Sequence, residues 1–127
     1  MSIVVEGVID LPFVDLRDVM TIHELLLFLE EQGVLSLKDW DIKVQGEKLM
    51  LSHRSRNWSW IELCEGKVRL DAHYKETEKF KDQLLDLIRE FYPMYKKALE
   101  IIEKNNIKDY RLSYNKEKDR LVLEVEE

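Results

Sequence analysis

The stretch HRSRNWSWIELCEG, residues 53 to 66, gathers the residue types that recognise other molecules. Trp58 and Trp60 stand two apart, just after His53, Arg54 and Arg56. On an extended chain, residues two apart share one face. Two indole rings would then be presented together. Indole faces stack on planar rings and on guanidinium ions, and Trp and Arg dominate the energetics of many contacts. The competing expectation is plainer. Trp is highly buried on average, so a Trp pair on the second face of a sheet is more often covered by another element or a partner subunit. That covered arrangement is the stronger expectation of the two.

Other chemistry is thinly represented. His23, His53 and His73 have no metal-ligand spacing, and no metal or cofactor is expected. Cys64 is the one cysteine and has no second thiol to pair with. A nucleophilic Cys needs a base within hydrogen-bond reach, so Cys64 reads as a structural thiol. The four Gly are isolated, which excludes a phosphate-cradling loop. Glu30-Glu31 and Glu126-Glu127 read as solvated ends. Nothing in the pattern points to an enzyme.

Charge limits the partners. The net charge of −6 opposes a general nucleic-acid binder, because phosphate contact needs positive surface. The distribution is uneven: residues 48 to 75 carry a local +3, which leaves −9 for the remainder. A lone Cys and a start without a basic region before its apolar run imply a cytoplasmic protein. The longest apolar run, Leu25 to Leu29, is far too short for a membrane span. Abundant Lys and Glu with few Gln and Asn suggest a thermophile source. The length of 127 residues suits one domain, 1–127, and 45% apolar with 36% charged residues is a globular composition.

Several elements must position the Trp pair. SIVVEGVID reads as a strand ended by Pro12. TIHELLLFLEEQG reads as a helix with a Thr21/Glu24 capping box and a stop at Gly33. A four-stranded meander follows, and its register can be read from where the apolar residues collect. A turn at Gln45-Gly46 would set Ile42 opposite Leu49 and Trp40 opposite Leu51. A loop at Ser55-Arg56-Asn57 would set Leu51 opposite Ile61. A turn at Glu65-Gly66 would set Leu63 opposite Val68. Trp40, Ile42, Val44, Leu49, Leu51, Ile61, Leu63, Val68, Leu70 and Ala72 then share the core face, and a one-residue slip anywhere would spoil it.

The other face would carry Met50, Ser52, Arg54, Trp58, Trp60, Glu62, Arg69, Asp71 and His73. In cross-strand rows Trp58 lies between Arg54 and His73, Trp60 lies between Ser52 and Asp71, and Glu62 faces Arg69. Arg54, Trp58, Trp60, Arg69, Asp71 and His73 are the candidate binding residues. A long helix is expected from about Thr77 to about Asn105, interrupted near Pro93. Beyond its main stripe it carries Leu85, Tyr92, Met94, Leu99 and Ile101, more apolar surface than one face holds. A homodimer contact is one account of the surplus. A C-terminal hairpin turns at NKEKD. The expected fold is α+β: a mainly antiparallel sheet, made of the meander with an N-terminal strand and a C-terminal hairpin, packed with two helices.

The order of elements, the Trp40-Asp41-Ile42 strand and the helix bearing Tyr92 and Tyr95 resemble a small conserved open-reading-frame family of plastids, cyanobacteria and other bacteria. The similarity spans residues 20 to 126. The leading strand and HRSRNWSW depart from it. That family has no established activity, so the resemblance implies no function. The leading expectation is a non-enzymatic protein-interaction module, homodimeric or bound to another protein. The alternative is a binder of single-stranded nucleic acid or a nucleotide through the Trp58/Trp60 face.

Overall fold

The computed structural model describes residues 4–8, 11–56, 58–71 and 73–126. The fold is α+β. The elements run β1 (Val4–Val8), α1 (Val19–Glu31), β2 (Trp40–Gln45), β3 (Lys48–His53), β4 (Trp60–Cys64), β5 (Lys67–Asp71), α2 (Lys75–Lys104), β6 (Tyr110–Asn115) and β7 (Arg120–Val125). The meander and β1 form an antiparallel five-stranded sheet in the order β1-β5-β4-β3-β2. The C-terminal hairpin does not join it. β6 and β7 make their own two-stranded sheet, which packs on α2.

Turn chemistry sets the meander register. Glu65 and Gly66 both have positive φ, 52° and 76°, the requirement of a type I′ hairpin. They bring Leu63 opposite Val68 and Ile61 opposite Leu70, as the sequence pattern indicates. Leu51 faces Ile61 across the next pair, again as expected. The β2–β3 turn differs. Gln45 pairs with Lys48, so the central residues are Gly46-Glu47, and Ile42 faces Leu51 while Trp40 faces His53. The slip is two residues, so every side chain keeps its expected face. The reason lies in the turn type. Gly46 takes φ 60° as the first central residue, the Gly position of a type II′ turn, and Glu47 needs no positive φ.

The core lies between one sheet face and a helical layer. α1 covers β2 and β3, and α2 covers β4 and β5. Ile22, Leu25, Leu26 and Leu29 of α1 meet Leu49, Leu51 and Ile61 of the sheet and Leu84, Ile88 and Phe91 of α2, all buried. Trp40 also lies on this face, stacked on Phe80 at 4.7 Å. Ala72, assigned to the same face, lies outside the described residues.

α1 starts three residues earlier than the Thr21/Glu24 box implies. Asp18 is its N-cap residue, with no side-chain capping bond. Its carboxylate accepts hydrogen bonds from Tyr92 Oη at 3.0 Å and Lys96 Nζ at 3.2 Å instead, tying α1 to the middle of α2. Gly33 does end α1, with φ 76°. Its N–H donates to Glu30 O, and Val34 N–H donates to Leu29 O, which is the Schellman pattern.

α2 is not split at Pro93; it runs unbroken over 30 residues. The ring removes one donor, the N–H that would reach the Arg89 carbonyl. Phe91, Tyr92 and Tyr95 on either side are buried, and that packing holds the helix through the gap. The surplus apolar residues of α2 are largely used within the chain. Tyr92 is buried, Leu85, Met94 and Leu99 are half-buried, and only Ile101 is exposed.

Candidate functional site

No described helix or strand lies over the second face of the five-stranded sheet. Trp58 is 44% exposed and Trp60 half-buried, so of the two expected covers, another element of the chain or a partner subunit, the first is not found among the described residues. The sheet needs only one dry face, and both helices take the same one.

The loop between β3 and β4 places the aromatic cluster. His53 N–H donates to Ser59 O at 2.9 Å, and Ser59 N–H donates to Arg56 O at 3.1 Å. Ser59 itself is buried, and its Oγ accepts a hydrogen bond from Thr77 Oγ1 at 3.1 Å. Thr77 is in the first turns of α2, so one buried bond locks the loop to the helix start. Asp71 prepares that start. Its Oδ1 accepts the His73 N–H at 2.8 Å and turns the chain from β5 towards α2.

The result is a chain of rings and cations. Trp58 meets His73 edge-on at 5.6 Å, and His73 meets Tyr74 edge-on at 4.9 Å. The Arg56 guanidinium lies 4.9 Å over the Tyr74 ring. On the strands themselves, Arg69 stands 5.9 Å from the Trp60 ring centre. Two adjoining hollows follow. One of about 490 Å³ is lined by Met50, Ser52, His53, Arg56, Ser59, Trp60, Glu62 and Arg69. The other, about 340 Å³, is lined by Ser55, Arg56, Trp58, His73 and Tyr74. Arg56 belongs to both.

Four of the six sequence-derived candidates meet here: Trp58, Trp60, Arg69 and His73. Two do not. Arg54 turns away to Asp41 on the neighbouring strand, with Nε 3.0 Å from Oδ1. The β2 edge offers a carboxylate there, so the row with Trp58 is not made. Asp71 is fully buried, and its Oδ2 has no hydrogen-bond partner among the described residues. It shapes the turn and cannot reach a ligand on the surface. Arg56, which precedes the Trp pair in the sequence, and Tyr74 are not among those six candidates. Arg56 sits in a loop with no periodicity, and Tyr74 sits where a strand becomes a helix. A cation 18 positions before a Tyr carries no local signal.

Charge on this face is internally balanced. Arg69 lies 3.7 Å from Glu62 and 3.5 Å from Glu6, and Lys67 lies 3.7 Å from Glu6. Arg56 lies 3.9 Å from Glu76. Among the described residues, no group of three or more His, Cys, Asp or Glu is placed to hold a metal ion. No described helix is long and apolar enough to cross a membrane. Set against family models, curated proteins and solved structures, the chain matches none of them. The family resemblance read from Trp40-Asp41-Ile42, Tyr92 and Tyr95 thus rests on the sequence alone.

Proposed function

We propose that this chain is a non-enzymatic protein-binding module whose contact surface is the open face of the five-stranded sheet. The observation that carries this reading is the uncovered Trp58, set beside Trp60, Tyr74, Arg56 and Arg69. Aromatic residues, Met and Arg are enriched at protein interfaces, and buried Trp, Tyr and Arg carry most of the binding energy. Charge chooses between partner classes. Nucleic-acid binding draws on cations that displace counterions from phosphates. Here Arg54, Arg56 and Arg69 each face a carboxylate already, within a chain of net charge −6. A near-neutral mosaic with aromatic centres suits a protein surface of similar mixed charge.

The test uses the chain as bait, with Trp58→Ala beside it. Trp58 is exposed, so its loss leaves the fold in place. The expected result is a stoichiometric protein partner that the wild type holds and Trp58→Ala releases. Equal retention by both baits would remove the sheet face as the contact. A single-stranded oligonucleotide is titrated in parallel at low salt. The expected emission change is none. Salt-sensitive quenching of the Trp fluorescence would replace this reading with nucleic-acid binding.

A further inference from the structure

The second surface is a strand edge. β7 reads RLVLEV, with no Pro, no Gly and no charge among its central Leu121, Val122 and Leu123. Natural sheets commonly guard such edges with charges, bulges or Pro, because an unguarded edge is a template for another strand. β2, one of the two edges of the large sheet, is guarded in this way by exposed Asp41 and Lys43. A two-stranded sheet is also marginal by itself, and this one has no fully buried residue.

The direction of the β7 backbone groups follows from one hydrogen bond. Tyr114 N–H donates to the side chain of Gln32 at 3.1 Å, not to β7. Tyr114 faces Leu121, so this is a non-hydrogen-bonded pair. Leu121, and Leu123 two residues on, therefore turn their own N–H and C=O groups outwards. The bond from Glu126 N–H to Asp109 O at 3.1 Å confirms the alternation at the far end of the hairpin. On β6 the same kind of edge is occupied by Gln32; on β7, among the described residues, no strand pairs with it.

We infer that β7 pairs with β7 of a second copy of this chain, antiparallel about a twofold axis at Val122. Only registers that set outward residues opposite outward residues are allowed. With the axis at Val122, Leu121 of each copy exchanges backbone bonds with Leu123 of the other. Arg120 then falls opposite Glu124 of the second copy, on both sides of the axis. Moving the axis to Leu123 would set Glu124 against Val122, which loses that pairing. Arg120 and Glu124 are both exposed, and among the described residues neither lies in an ion pair within the chain. Inside the hairpin Glu124 faces Arg111, so Glu124 would lie between two cations, Arg111 of its own chain and Arg120 of the second copy. Leu121 and Leu123 also line a hollow of about 200 Å³ with Met94, Ile101 and Leu112. The second copy's leucines would extend that apolar floor.

Sedimentation at micromolar concentration tests this. The wild type is expected at twice the 15.3 kDa chain mass. Arg120→Glu sets like charges opposite each other twice and should weaken the dimer roughly tenfold. Glu124→Arg should do the same. The double variant Arg120→Glu with Glu124→Arg restores opposite charges and should restore the dimer. Circular dichroism of each variant checks that the fold is retained; Arg120 faces only Asn115 within the hairpin, whereas Glu124→Arg meets Arg111 there and needs the check most. A wild type that stays monomeric overturns the inference. So does a dimer indifferent to the single charge reversals, or a double variant no better than the singles. Trp58→Ala should leave the mass unchanged, which separates this surface from the sheet face.

Discussion

The two faces of the five-stranded sheet are made by the same residues in alternation, yet they do different work. On one, Leu49, Leu51 and Ile61 are wholly buried under α1 and α2. On the other, Met50, Ser52 and Trp60 of the same two strands are only half-buried. The period-two geometry of a strand allows this division. Substitutions on the first face should change stability and leave recognition to follow. Substitutions on the second should change recognition and leave the fold nearly untouched.

The sharpest way to break that contrast is Ile61→Ala. The site is closed on all sides, so truncation should cost about 2–5 kcal/mol in urea unfolding. A cost below that of any Trp-face variant would mean the faces have been assigned the wrong roles. Thr77→Val is next and joins the faces. It should leave Ser59 Oγ buried without its donor, at about 1–3 kcal/mol. It should also loosen the loop bearing Trp58, seen as easier acrylamide quenching of that indole. Stability loss with unchanged quenching would deny the lock its positioning role.

Acid tests the helical layer that covers the core face. Burial works to raise the Asp18 carboxyl, but hydrogen bonds from Thr21, Lys96 and Tyr92, with the Lys96 charge, outweigh it and hold it below the usual value of 3.8. A carboxyl lowered by folding stabilises the native state above its unfolded pKa, and the gain is lost as pH falls through the folded value. At neutral pH Asp18→Asn should therefore cost about 1 kcal/mol. The gap to wild type should close only below about pH 4. A gap that persists in strong acid would show that shape, not charge, makes the tie. Burial and the neighbouring Asp18 push the Tyr92 hydroxyl up, so it stays a donor throughout this range. The smallest effect belongs to Trp58→Ala, expected within about 0.5 kcal/mol of wild type, the scale of ordinary surface changes.

What could be read from the sequence was what is local. Alternation in Leu49, Leu51, Ile61 and Leu63, with Glu65-Gly66 between strands, was enough to assign both sheet faces. The β2–β3 register slipped because Gln45-Gly46 and Gly46-Glu47 are both sound two-residue turns, and a slip of two conserves the faces that guide the choice. The separate hairpin was hidden because strand alternation says nothing about which sheet a strand enters. Arg54 was assigned to Trp58 on register alone, yet a long guanidinium side chain can choose any carboxylate in reach, here Asp41. The tie of Asp18 to Tyr92 and Lys96 spans more than half the chain and has no local trace. The exposure of the Trp pair depends on which face the helices choose, and that is settled by packing.

The place of β1 has a consequence for the order of assembly. Every other neighbouring pair in the large sheet is joined by a short hairpin, whose closure costs little entropy. β1 pairs with β5 only after α1 and three strands have intervened. Its contacts are the sheet's most distant in sequence, and such contacts are the slow ones to form. The meander can therefore zip up with α2 laid across it while the N-terminal segment is still searching. Docking of β1 then closes the β5 edge as a late step. Until it does, β5 stands unpaired on one side and the β1 segment has no partner, so exposure to mispairing is greatest in that interval.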